Sequence, residues 1–163
     1  MNKIIITLIL IVISFAVQAQ SVKGEILISE KSNTEIKLGT DKAVDLYATF
    51  REQKIPILFR FKGTDIPLNE EKKEVVEFVF TTILKKDGKV IKKQKREPMP
   101  FFPGDMLMPV ETFDFISLLS DNGKNSRDNV SKMEPGKYEI ILEVKPVNIK
   151  GQISPASFRF AIK

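Results

Sequence analysis

The stretch Pro135-Gly136-Lys137-Tyr138-Glu139-Ile140-Ile141-Leu142-Glu143-Val144-Lys145 decides how the rest of the chain is read. Tyr138, Ile140, Leu142 and Val144 alternate with Glu139, Ile141, Glu143 and Lys145. A strand turns successive side chains to opposite faces, so this pattern predicts a half-buried strand entered through a Pro-Gly turn. Beyond a loop holding Gly151 and Pro155, Phe158, Phe160 and Ile162 alternate with Ser157, Arg159, Ala161 and Lys163. The two runs are expected to lie side by side and to bury Tyr138, Ile140, Leu142, Phe158 and Phe160 together.

The same period recurs upstream. Ser21 to Glu30 reads as a first strand with Ile26 and Ile28 on one face, followed by a turn at Ser32-Asn33-Thr34 and an edge piece at Ile36 and Leu38. Val44, Leu46, Ala48 and Phe50 alternate with polar residues, although a helical stripe through Ala43, Leu46, Tyr47 and Phe50 competes. Pro56 opens a strand in which Ile57, Phe59 and Phe61 share a face. Val75 to Leu84 reads as the longest strand, apolar on both sides, with Val76, Phe78, Phe80 and Leu84 on one and Val75, Val79 and Ile83 on the other. Lys86-Asp87-Gly88-Lys89 then predicts a tight hairpin, because Asp-Gly accepts the positive φ of a primed turn. Alternation is expected to resume at Phe113 to Leu119. Short strands punctuated this way predict an all-β fold, an antiparallel sandwich or a small closed β-barrel.

Composition narrows the chemistry. The chain has 163 residues, no cysteine, no histidine, no tryptophan and 12 phenylalanines, with a net charge of +5. Without cysteine the fold must rest on its core alone. Without histidine, Ser-His-Asp and Cys-His catalysis and histidine metal sites are excluded. No Gly-rich phosphate loop or metal-ligand spacing is evident, so no cofactor is expected and the chain is not read as an enzyme. Asp121, Asn122, Asn125 and Asp128 have calcium-loop chemistry, but such residues ordinarily form a solvated turn.

Met1-Asn2-Lys3, the apolar run Ile4 to Val17 and the small residue Ala19 follow the order of a secretory signal peptide. Cleavage is expected after Ala19, leaving 20–163 as one domain, periplasmic or secreted, with no stable membrane span.

The run from Met133 to Val144, with its Pro-Gly turn leading into Tyr138, resembles the penultimate strand of bacterial immunoglobulin-like domains. That resemblance implies an immunoglobulin-like antiparallel β-sandwich in which the Tyr138 hydroxyl bonds back to nearby backbone. Ile140 stands where antibody domains place a cysteine, and Phe59 or Phe61 must fill the volume of their central tryptophan.

Two segments are candidates for binding. Lys85 to Arg96 gathers seven basic residues against Asp87, with Lys89, Lys92, Lys93, Lys95 and Arg96 the candidate contacts for an acidic surface. Stacking aromatics are missing from this run, which argues against nucleic acid. Lysines on an edge strand also discourage aggregation, and that is the plainer reading. Pro98 to Pro109 holds Phe101, Phe102, Met106 and Met108. These fit either an adaptable binding loop or a segment that folds back over Val75, Val79 and Ile83 or caps one end of the core. The expectation is a non-enzymatic extracytoplasmic binding or protein-interaction module, its partner a protein or a cell-envelope glycan. The alternative is a small-ligand or lipid carrier with a β-barrel cavity.

Overall fold

The computed structural model describes residues 20–35, 55–114, 118 and 134–162. The signal-peptide segment, the runs around Ile36 and Leu38 and from Val44 to Phe50, and the loop of Asp121, Asn122, Asn125 and Asp128 lie outside the described residues.

Among the described residues ten strands form two sheets packed face to face. They are β1 (Ser21–Ile28), β2 (Asn33–Glu35), β3 (Ile57–Thr64), β4 (Val76–Lys86), β5 (Lys89–Lys95), β6 (Met99–Phe101), β7 (Gly104–Leu107), β8 (Gly136–Pro146), β9 (Lys150–Ser154) and β10 (Ala156–Ile162). One sheet runs β7-β3-β1-β9. The other runs β2-β10-β8-β4-β5, with β6 following β5 along the same edge of β4. Neither closes on itself, so the fold is a β-sandwich and the barrel is not formed. Each sheet carries one parallel pair, β1 with β9 and β10 with β2, so the sheets are mixed where a purely antiparallel sandwich was expected.

The period-2 residues supply the core. Val22, Ile26 and Ile28 of β1, Ile57, Phe59 and Phe61 of β3, and Val76, Phe78, Phe80 and Leu84 of β4 are all buried. Tyr138, Ile140, Leu142 and Val144 of β8 meet Phe158, Phe160 and Ile162 of β10 in the same cluster. Phe59 bridges the sheets, its ring edge-on to Phe78 at 5.1 Å and to Phe80 at 5.6 Å. Edge-to-face aromatic pairs add about 0.5–1.5 kcal/mol beyond area burial, so a phenylalanine-rich interior without tryptophan still packs specifically. Tyr138 stacks on Phe160 at 5.3 Å and donates its hydroxyl hydrogen to the Glu134 carbonyl at 2.8 Å. Gly24 lets β3 approach β1, since a Cβ there would stand 2.3 Å from the Arg60 carbonyl oxygen.

Four local expectations change. The first turn sits at Ser29 and Glu30, both at positive φ, and Asn33 belongs to β2, not to a turn. The buried Ile149 leads into an unanticipated strand, β9, which buries Ile153 and crosses to β1 between β8 and β10. Phe113 ends a 3-10 helix (Val110–Phe113) instead of starting a strand. Asp114 then takes a left-handed conformation, and the Leu118 N–H reaches the Asp114 carbonyl at 3.0 Å, a helical i to i+4 bond. Finally, Pro98 to Pro109 is not a lid over the outer face of β4. Its Phe101 stands opposite Val76 on the inner face and packs its ring on Phe59, Phe78 and Phe80. The prolines fit because edge positions need fewer backbone donors. The segment pairs first with β4 as β6, then with β3 as β7, and so closes one side of the sandwich.

Candidate interaction site

The Asp87-Gly88 turn, with φ of 48° and 82°, joins β4 to β5 as a two-residue hairpin. Its tip is tied to the start of β8. The Asp87 N–H donates to the Lys137 carbonyl at 2.8 Å, and the Lys137 N–H donates to Asp87 Oδ1 at 3.0 Å. Lys86 Nζ reaches Glu134 at 2.5 Å, and that hydrogen bond raises the Lys86 pKa despite some desolvation. Lys85 meets Glu139 at 3.3 Å across the β4–β8 register, and Glu139 also takes Arg159 Nη2 at 2.9 Å from β10. Burial alone would raise the Glu139 pKa, but the hydrogen bonds from Arg159 and Lys85 together hold it below the ordinary value.

The far end of β5 is anchored as firmly. Arg96 grips Asp114 through two bonds, Nε to Oδ2 at 2.7 Å and Nη2 to Oδ1 at 2.5 Å, while its backbone N–H donates to the Phe80 carbonyl. The bond to Asp114 raises the Arg96 pKa, with desolvation opposing it. Arg96 therefore clamps the strand, and its charge is spent on Asp114.

Between these anchors β5 is exposed along almost its whole length. Lys89, Lys93 and Lys95 are exposed and make no ion pair among the described residues, whereas Lys92 is half-buried and in contact with neighbours. Val90 and Ile91 add exposed aliphatic surface at 57% and 48%. Seven clustered charges thus reduce to a smaller set of presented ones. The sequence showed the cluster but not which members were neutralised, because Glu134, Glu139 and Asp114 are remote or cross-strand partners.

The second candidate segment divides by face. Met108 is buried, its N–H bonded to the Ile57 carbonyl, and Met106 and Phe101 are half-buried against the core. Phe102 is 52% exposed. Sequence reasoning missed Leu107, 64% exposed at the outer surface of β7. The register sets it beside Leu58 and Leu27, which makes an apolar row across three strands. The signal was present in the sequence: these leucines are out of phase with the buried residues of their strands. An open groove of about 800 Å³ adjoins the row, lined by Lys23, Glu25, Arg60, Lys62 and Asp105. Arg60 is held there by Glu25 at 2.6 Å.

Among the described residues no three Asp or Glu side chains converge as a metal site, and no helix is long and apolar enough to cross a membrane. No protein-family model matches the chain, and a search of curated proteins gives no match either.

Proposed function

We propose that the protein is a non-enzymatic, exported binding module that engages an acidic protein or cell-envelope glycan through its β4–β5 hairpin. One observation carries this reading: the hairpin is pinned at both ends, by Asp87 with Lys137 and by Arg96 with Asp114, while Lys89, Lys93 and Lys95 between them stay exposed. A strand fixed in place loses little conformational freedom on association, so its surface is preorganised. The Tyr138 hydroxyl bonded to the Glu134 carbonyl supports an immunoglobulin-like form of the sandwich. The N-terminal charged, apolar and small-residue order supports export.

The test is the triple variant Lys89→Glu, Lys93→Glu, Lys95→Glu, compared with wild type in a pull-down from the native periplasm or medium. Capture should be lost in the variant while its far-ultraviolet circular dichroism stays unchanged. Wild-type capture should weaken as salt rises, since the Debye length is about 8 Å at physiological ionic strength. Undiminished capture by the triple variant would reduce the lysines to guards of an exposed edge.

A further inference from the structure

The hairpin reading leaves the form of the acidic partner open, and the backbone of β5 narrows it. Resting on that reading, we infer that the partner is an extended acidic polypeptide segment that joins the sheet as an added strand along β5.

Backbone direction is the first observation. Lys95 stands opposite Thr81, so Arg96 stands opposite Phe80, and the Arg96 N–H donates to the Phe80 carbonyl at 2.9 Å. In an antiparallel ladder, successive residues turn their N–H and C=O alternately toward one neighbour and then the other. The register is unbroken from Lys95 to Lys92. Arg96 and Gln94 therefore direct their backbone groups at β4, and Lys95 and Lys93 direct theirs away from it. Among the described strands β5 ends the sheet on that side.

Side-chain placement is the second. Lys93 and Lys95 lie on the same face as Ile83 and Thr81, which they oppose. The two residues that turn backbone groups outward are thus also the two that present cations on one face, about 6.7 Å apart at the usual strand rise. An added strand matches that repeat with a carboxylate at every second residue, taking main-chain bonds and cross-strand charge pairs from the same positions. A second copy of β5 would set lysine against lysine, which is repulsive. The charge pattern that guards this edge against itself is complementary to an acidic strand. A β-bulge between Leu84 and Lys85 interrupts the ladder nearer the turn, so the docking length is Lys92 to Lys95.

The experiment titrates the full chain with a synthetic peptide of alternating Glu and Thr and, separately, with dextran sulfate. Backbone amide exchange is followed by nuclear magnetic resonance. The peptide should bind and slow exchange at the Lys93 and Lys95 amides. Lys95→Pro, which deletes an outward N–H and no bond to β4, should abolish peptide binding, whereas Lys95→Gln should only weaken it. The amide protection is read in unaltered protein, so the result does not depend on the proline variant folding, and Lys93→Pro provides a second case. Peptide binding without protection of those amides, or equal losses for Lys95→Pro and Lys95→Gln, would overturn strand addition. Dextran sulfate bound in preference to the peptide, and released by the triple glutamate variant, would overturn it too while leaving the electrostatic hairpin intact. If neither probe binds and the triple variant still captures the native partner, both readings fail.

Discussion

Tyr138 shows how much one side chain can fix. Its ring is buried against Phe160, and its hydroxyl holds the Glu134 carbonyl at the entrance to β8. Tyr138→Phe keeps the stack and removes the tether, so it should cost about 0.5–1.5 kcal/mol, read by denaturant unfolding. One residue on, Glu139 sits between Lys85 and Arg159 with its pKa below the ordinary 4.5, because hydrogen bonds from Arg159 and Lys85 outweigh the effect of burial. A carboxylate whose folded pKa is depressed adds stability that is present in full above its unfolded pKa. That stability is lost as pH falls through the folded value. The stability difference between wild type and Glu139→Gln should therefore shrink as pH is taken below about 4.5 and be level at neutral pH. A difference independent of pH across that range would deny Glu139 its ionic role.

At the scale of elements, the segment from Met99 to Leu107 separates packing from presentation within adjacent residues. Phe101 lies among Phe59, Phe78 and Phe80, whereas Phe102 is half exposed where the chain leaves β6. Phe101→Ala should lower stability by about 2–4 kcal/mol, short of the full cost for a sealed phenylalanine because its site is only half closed. Phe102→Ala should stay within about 0.5 kcal/mol of wild type in the same thermal melts. Reversed effects would place the wrong ring inside. The sequence could not assign these two rings, since a proline-broken run carries no period to say which residue faces in. β3, β8 and β10 were legible because each pairs alternation with a turn signal, and β4 because a long apolar run leads into the Asp-Gly hairpin. β9 was not, because only Ile153 of its five residues is buried and its pairing depends on a distant strand. The hairpin was visible as a charge cluster, but the neutralisation of Lys85, Lys86 and Arg96 depends on partners that only the folded register supplies.

At the scale of the whole molecule, the two sheets share one interior. Phe59 and Phe61 from β3 reach Phe78 from β4 at 5.1 and 4.8 Å, and a single cluster of buried residues takes in β1, β3, β4, β8 and β10. Each sheet completes the core of the other, so the described sandwich should unfold as one cooperative unit. Phe59→Ala on one sheet and Phe160→Ala on the other each remove a buried ring and should each cost about 3–5 kcal/mol. Both should displace the same transition to lower denaturant without splitting it. Far-ultraviolet circular dichroism follows both sheets, and in a Tyr47→Phe background tyrosine fluorescence reports on Tyr138 alone. Coincident curves for both probes in both variants are expected. Two separated transitions, each shifted by only one variant, would mean that the phenylalanines crossing the interface do not couple the sheets.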